Sequence, residues 1–376
     1  MGEAGGAIQA ITMPKWGLAM DEGKVVAWHL EEGQAVAAGD EVVEIETTKI
    51  TNVFESPVAG TLRRRVAAEG KTVPVGALLA VVAEAAVAEA EIEAFVADFQ
   101  AKFEVAAAAE AEAAPEPEVV EAGGRRLRIL RSGDGEGPPI VLLHGFGGDL
   151  NNWLFNQPML SESHEVIALD LPGHGGSGKD VGAGDMAMLT AALGDLLDAL
   201  GLERVHLVGH SMGGALALAF ALKRPRAAAS LTLIAPGGLG PEINMDYIQG
   251  FVGAGRRKEM KGVLELLVAD PALIGRDMVD EVLKYKRLDG VEAALGTLAG
   301  ALFPGGRQQT FGAAHLAALK TPAQAVWGRK DRILPPAHAE ALPPGVAVHL
   351  LDDVGHMPHM EAAAEVNRLI AGMAAG

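Results

Sequence analysis

At 376 residues the chain has room for two or three domains, and with 49% hydrophobic residues it can bury a sizeable core. It has no cysteine, which excludes disulfides, thiolate zinc sites and cysteine nucleophiles and fits a reducing compartment. The net charge of −18 sits mostly at the front: residues 1–122 carry 22 acidic against 8 basic side chains, and the rest carry 27 against 23. That balance argues against a nucleic-acid partner and for an acidic module that docks on positive surfaces or simply stays in solution.

No basic segment leads into an apolar one at Met1-Gly2-Glu3-Ala4-Gly5-Gly6, and no apolar run is long enough for a membrane, so a cytoplasmic protein is expected. Residues 1–84 alternate short apolar runs with turn residues. Val25-Val26-Ala27-Trp28-His29-Leu30 precedes Glu31-Glu32-Gly33, and Val42-Val43-Glu44-Ile45-Glu46 follows Gly39-Asp40. Val73-Pro74-Val75-Gly76 leads into Leu78-Leu79-Ala80-Val81-Val82. Short strands at regular spacing predict a small all-β barrel or sandwich. Strand runs flank Glu46-Thr47-Thr48-Lys49-Ile50 and put Lys49 near a hairpin tip, where a lone lysine reads as a solvated edge residue. Met13-Pro14-Lys15-Trp16-Gly17, Met20-Asp21-Glu22-Gly23, Glu46-Thr47-Thr48-Lys49 and Ser56-Pro57-Val58-Ala59-Gly60 together resemble lipoyl domains. The resemblance implies lipoate amide-linked to Lys49, a long arm that carries acyl thioesters between active sites. It departs at Thr48, where lipoyl domains have Asp. Biotin carriers place Met on both sides of the lysine, unlike Thr48 and Ile50; biotin attachment and an unmodified remnant are the alternatives.

From Ala85 to Glu121 Ala and Glu dominate. Ile92, Phe95, Val96, Phe99 and Phe103 recur at helical spacing, with Glu89, Glu91, Glu93, Asp98 and Lys102 opposite, which predicts an amphipathic helix. Its Phe stripe packs either on the chain's own domains or on a partner or second copy. Ala106 to Pro117 reads as an Ala/Glu/Pro linker, so residues 85–122 are taken as a linker with one amphipathic helix.

Residues 123–376 alternate strand and helix patterns, which indicates a mostly parallel α/β sheet. Apolar runs at 126–130, 140–143, 166–169, 205–208, 231–234, 323–327 and 346–351 read as strands. Leu189 to Leu200 reads as an amphipathic helix, and about Glu361 to Ala371 as the last one. Gly209-His210-Ser211-Met212-Gly213 stands between a strand run and a helical run. G-x-S-x-G in that context is a nucleophile elbow: its glycines permit a turn tight enough to lift the serine hydroxyl off the sheet, and the N–H that opens the helix is left for an oxyanion. His144-Gly145, Asp170 to Ser177, this elbow, Asp331 at a strand end and Gly355-His356 occur in the order of the α/β-hydrolase fold, which the module resembles. The resemblance implies Ser211 as nucleophile, His356 as base, Asp331 as its orienting partner, and the backbone N–H groups of Phe146 and Met212 as oxyanion donors. His359 is the rival base. Asp352 and Asp353 lie too near His356 in sequence to hold its Nδ1, and His144, His174 and His210 read as structural. Residues 237–320 occupy the place of a helical cap. Its basic clusters, Arg256-Arg257-Lys258-Lys261 and Lys284-Lys286-Arg287, are either solvated faces or a contact for an anionic partner such as coenzyme A phosphates.

The expected fold class is therefore multidomain: a small all-β lipoyl barrel followed by an α/β-hydrolase fold with a helical cap. The combination resembles the dihydrolipoyllysine-residue acetyltransferase subunits of acetoin dehydrogenase complexes. That resemblance implies a transferase of acetoin catabolism that moves an acetyl group from lipoyl-Lys49 through Ser211 to coenzyme A. It implies a homo-oligomer in a multienzyme complex. The partners are a thiamine-diphosphate-dependent acetoin-cleaving enzyme, a dihydrolipoamide dehydrogenase and a lipoylating enzyme. No metal is expected. The late H-x-x-x-D-G motif of chloramphenicol-acetyltransferase-like enzymes is missing, since Tyr285 stands four positions before Asp289-Gly290. Two other readings stay open. An ester or thioester hydrolase could carry the lipoyl domain as a passenger, because triad and elbow do not choose between water and thiol. A lipoyl carrier could use its hydrolase-like domain only for assembly.

Overall fold

The computed structural model describes residues 8–16, 20, 22–47, 51–113, 115–311 and 317–375, with the backbone alone over 105–113. Met1–Ala114 and Pro115–Gly376 form two units.

Among the described residues the first unit has eight short strands: β1 (Ile8–Thr12), β2 (Glu22–Trp28), β3 (Ala35–Val36), β4 (Glu41–Glu46), β5 (Thr51–Glu55), β6 (Gly60–Arg65), β7 (Thr72–Pro74) and β8 (Leu78–Ala83). They pair antiparallel in two four-stranded sheets, ordered β1-β8-β6-β3 and β5-β4-β2-β7. Val25, Val43, Ile45, Leu62, Leu79 and Val82, drawn from both sheets, share one core. Strand β2 shows why the pattern is legible: Gly23 and Val25 point in while Glu22 and Lys24 point out. Strand β8 breaks the alternation, with all six residues buried. Its second face is covered by α1 (Glu89–Ala113), whose Ile92, Phe95, Val96 and Phe99 pack on Leu78, Val81 and Ala83. The Phe stripe thus packs on the chain's own first unit. Arg63 donates to the Glu84 and Val87 carbonyls, each at 2.9 Å, and Arg64 pairs with Glu89, which pins the entry to the helix. Helix α1 continues to Ala113, past Ala106 where the sequence pattern puts a linker, because Ala and Glu are strong helix formers and no proline intervenes before Pro115. Strands β4 and β5 pair down to Glu46 opposite Thr51. The expected lipoyl-lysine, Lys49, falls between them, outside the described residues.

The second unit opens with β9 (Glu118–Ala122) and β10 (Arg125–Ser132), an antiparallel pair. This corrects the sequence reading, which assigns 118–122 to the linker. Strand β9 is the edge of the sheet, with only Ala122 fully buried, and its apolar pattern is too weak to stand out. Then follow β11 (Ile140–Leu143), α2 (Gln157–Leu160), β12 (Val166–Leu169), α3 (Met186–Ala199), β13 (Val205–His210), α4 (Met212–Lys223) and β14 (Ala228–Ile234). Helices α5 (Met245–Gly253), α6 (Arg257–Leu264), α7 (Arg276–Lys286) and α8 (Val291–Leu302) come before β15 (Ala323–Gly328) and β16 (Ala347–Leu351). The eight strands are ordered β16-β15-β14-β13-β11-β12-β10-β9 and are parallel from β16 to β12. One face is packed by α4, with Leu216 and Phe220, and the other by the last helix, Ala363–Ala374, with Val366 and Ile370. Parallel strands end on one edge, so the segments after β11, β13, β15 and β16 emerge together there.

Candidate active site

Ser211 occupies the turn between β13 and α4 at φ 52° and ψ −112°, a strained conformation for a residue with a Cβ. The residues two before and two after it must be glycine. A Cβ on Gly209 would lie 2.3 Å from the Gly213 carbonyl oxygen, and one on Gly213 would lie 2.1 Å from that of Leu143. The Ser211 N–H donates to the Ile234 carbonyl and the Gly237 N–H to the Ser211 carbonyl, both at 2.9 Å, which ties the strained turn to the end of β14. Ser211 lines a cavity of about 290 Å³ whose walls are mainly apolar, among them Phe146, Ile243, Tyr247, Phe303 and Phe311.

Asp331 follows β15 and His356 follows β16, and the two chain segments touch: a Cβ on Gly328 would lie 2.1 Å from the Gly355 carbonyl oxygen. Asp331 Oδ1 accepts the N–H groups of Ile333 at 2.7 Å and Leu334 at 2.9 Å. Its Oδ2 accepts the Trp327 indole N–H at 2.9 Å and faces His356 Nδ1 at 2.7 Å. Four donors hold this buried carboxylate, so its charge is satisfied without water. His356 is fixed through its backbone as well. Its N–H donates to the Leu267 carbonyl and its carbonyl accepts from His210 Nε2, each at 2.8 Å. His210, one residue before Ser211, therefore couples the elbow to the His356 loop.

His359 is not brought to Asp331. It lies fully buried between the rings of Trp153 and His210, each at 4.6 Å, and neither ring nitrogen has a hydrogen-bond partner among the described residues. Burial pushes its pKa down to about 3. Asp352 and Asp353 point to solvent and pair with Arg329 at 2.7 Å and Lys330 at 2.6 Å.

The turn after β11 carries Phe146. His144 Nδ1 meets the Gly145 carbonyl at 2.7 Å, and its Nε2 accepts the Leu171 N–H at 3.0 Å. His174 Nε2 accepts the Gly147 N–H at 3.1 Å, and its Nδ1 meets the Pro172 carbonyl at 3.1 Å. Burial lowers the pKa of both imidazoles, so both act as neutral rings with one donor and one acceptor. The histidines read as structural thus bond loop backbone. Phe146 and Met212 line the same cavity as Ser211. Sequence reading missed the two tyrosines of the chain, whose hydroxyls both cap loop carbonyls here: Tyr247 on Phe146 at 2.8 Å and Tyr285 on Gly173 at 3.1 Å.

The basic clusters of the insertion are largely taken up locally. Arg257 pairs with Asp280, Lys261 with Glu265 and Lys284 with Glu281, while Lys286 caps the Val252 carbonyl at 3.1 Å. Among the described residues no cluster of His, Asp or Glu could hold a metal ion, and no helix is long and apolar enough to cross a membrane.

Residues 138–363 match the family described as alpha/beta hydrolase fold, and residues 9–82 match the one described as biotin-requiring enzyme. A meta-cleavage product hydrolase from Pseudomonas fluorescens shares the fold, with a TM-score of 0.62 at 21% identity over 68% of this chain and 96% of that one. Two proteins named dihydrolipoyllysine-residue acetyltransferase component of acetoin cleaving system match nearly end to end. The one from Pseudomonas putida is 49% identical over 96% of this chain and 97% of its own length. The one from Cupriavidus necator is 45% identical over 96% of both. The chain belongs to this family of dihydrolipoyllysine-residue acetyltransferase components, which join a lipoyl domain to an α/β-hydrolase-fold domain.

Proposed function

We propose that the chain transfers an acetyl group from a lipoyl-lysine thioester to coenzyme A through an acetylated Ser211, as the acetyltransferase of an acetoin-cleaving complex. The observation that carries this reading is the strained Ser211 over an apolar cavity, with the paired Asp331 and His356 tied to the elbow through His210, in a chain that also has a lipoyl domain. Lys49 suits lipoate because it lies between two paired hairpin strands that end at Glu46 and Thr51, and the group when attached supplies the thioester donor. Ser211 Oγ attacks the acyl carbonyl as His356 Nε2 takes its proton. Asp331 holds the imidazole with Nδ1 protonated and stabilises the imidazolium. The N–H groups of Phe146 and Met212 receive the oxyanion, each worth about 3 kcal/mol in the transition state. His356 returns the proton to the departing thiol. It then takes one from the thiol of coenzyme A, which attacks the acyl carbon, and gives it to Ser211 Oγ as the ester breaks.

The complex would join a thiamine-diphosphate-dependent acetoin-cleaving enzyme and a dihydrolipoamide dehydrogenase in the cytoplasm, with this chain as a homo-oligomer lipoylated in trans. The test is the full chain supplied with acetyl-dihydrolipoamide and coenzyme A. Acetyl-CoA is the expected product; free acetate alone would identify a hydrolase. Ser211→Ala should abolish turnover, and full activity in it would remove Ser211 from the reaction.

A further inference from the structure

We infer that Tyr247 is a positioning residue that aims the Phe146 N–H at the oxyanion, an inference that rests on the serine-centred reading above. The turn after β11 is held group by group. The Gly145 carbonyl meets His144 Nδ1 at 2.7 Å and the Gly148 N–H at 3.1 Å. The next peptide plane is held at both ends: the Phe146 carbonyl accepts the Tyr247 hydroxyl at 2.8 Å, and the Gly147 N–H goes to His174 Nε2 at 3.1 Å. In a planar trans peptide the N–H points opposite to the C=O. Fixing the Gly145 carbonyl therefore directs the Phe146 N–H, and clamping the following plane removes the remaining rotation about Phe146. The Phe146 N–H itself makes no hydrogen bond among the described residues, so the turn spends its other polar groups to keep this donor available.

Tyr247 differs from the two histidines in where it comes from. His144 and His174 stand on loops of the sheet, whereas Tyr247 is on α5, the first helix of the insertion. The same helix carries Phe251, whose ring meets that of Phe146 edge-on at 6.2 Å. Gly147, at φ 78°, has no room for a side chain, because a Cβ there would lie 2.6 Å from the Phe251 ring. The insertion thus presses directly on the turn, and the clamp is complete only while α5 is docked. Burial raises the pKa of Tyr247, so its hydroxyl stays protonated and donating.

The test is Tyr247→Phe in the full chain, which keeps the ring and removes the hydroxyl. With acetyl-dihydrolipoamide and coenzyme A, kcat should fall about 10-fold while KM stays within about twofold. Affinity for a trifluoromethyl ketone that adds to Ser211 as a tetrahedral oxyanion should fall by the same factor. Ser230→Ala removes a buried hydroxyl near the start of β14, which bonds His206 Nδ1 at 2.8 Å, and should leave both readouts within about twofold of wild type. Unchanged kcat and ketone affinity in Tyr247→Phe, a loss carried wholly by KM, or an equal loss in Ser230→Ala each overturns the inference. Ser211→Ala separates the levels. Full activity there removes the serine reading itself, whereas an inactive Ser211→Ala beside a wild-type-like Tyr247→Phe removes only the clamp.

Discussion

Replacing Asp331 by asparagine isolates what this carboxylate does. Its Oδ1 accepts two backbone N–H groups, and its Oδ2 lies between the Trp327 indole N–H and His356 Nδ1. An asparagine amide has one acceptor oxygen and one NH2. With the oxygen kept on the two backbone donors, the NH2 faces two further donors. The available relief is for His356 to switch tautomer, so that Nδ1 accepts and Nε2 carries the proton. In the proposed roles such an imidazole cannot take the Ser211 proton. A wrongly held tautomer of this kind lowers kcat by about 10,000-fold, or about 5.4 kcal/mol of transition-state stabilisation. KM should barely move, because the Asp331 side chain is fully buried and meets only protein. The Trp327 N–H keeps the Leu334 carbonyl at 3.2 Å, so the folding cost of Asp331→Asn should be about 1–3 kcal/mol. The assay is acetyl-CoA formation from acetyl-dihydrolipoamide across the neutral and alkaline range, with urea unfolding alongside. A folded Asp331→Asn variant that keeps a tenth of wild-type kcat would refute the orienting role.

Asp352→Asn and Asp353→Asn, at exposed pairs with Arg329 and Lys330, should leave kcat within about twofold of wild type; a large loss in either would reopen the choice of His356's partner. Gly213→Ala forces a Cβ to 2.1 Å from a backbone oxygen and should cost about 3 kcal/mol or more by urea unfolding, an amount that an unaltered midpoint would contradict. His359 has a folded-state pKa of about 3, below the value of about 6.5 in the unfolded chain. The unfolded chain therefore binds this proton first, so the stability it contributes is complete above about pH 6.5 and is lost as pH falls toward 3, by up to about 1.4 kcal/mol per unit. His359→Phe should match wild type at about pH 7.5 and exceed it by about 2 kcal/mol at about pH 5, and parallel pH–stability curves would show the reasoning to be wrong. Ile92→Ala, at a fully buried position where α1 meets β8, should cost the first unit about 2–5 kcal/mol and expose α1 to proteolysis, with unchanged cleavage counting against the packing.

What was legible in the sequence was what sterics and burial write locally. Gly209 and Gly213 must be glycine because backbone oxygens stand where their Cβ atoms would be, so the elbow announces itself in five residues. Strands β11 and β12 run under helices on both faces and read as unbroken apolar runs, and β13 and β14 as largely apolar ones. Strand β9 did not read, since an edge strand needs only one good inward residue, and the end of α1 did not, since Ala and Glu suit helix and linker alike. Asp331 was put forward by its place at a strand end, while the four donors that surround its carboxylate come only from folding. Tyr247 could not have been found at all. Its bond joins positions 101 residues apart, from the insertion to a loop of the sheet, and no local pattern encodes such a pair.

The elbow does not select between water and thiol; in the proposed reaction its surroundings bear on that choice. Ser211 is only 9% exposed, and the cavity it meets has Phe146, Leu302, Phe303 and Phe311 among its walls. A water molecule entering such a space gives up hydrogen bonds that few wall groups replace. A thiol on a slender methylene-rich chain loses little and gains about 25 cal/mol for each Å² of apolar surface it buries. The lipoyl arm and the thiol end of coenzyme A share that shape, so one cavity can serve donor and acceptor. In the proposed reaction donor and acceptor use it in turn. An acetyl group held on Ser211 is the intermediate such alternation requires, since it keeps the acyl carbon in place while one thiol leaves and the next enters. In that proposed reaction Ser211 and the apolar cavity are two parts of one arrangement, the serine holding the acyl group and the walls disfavouring water.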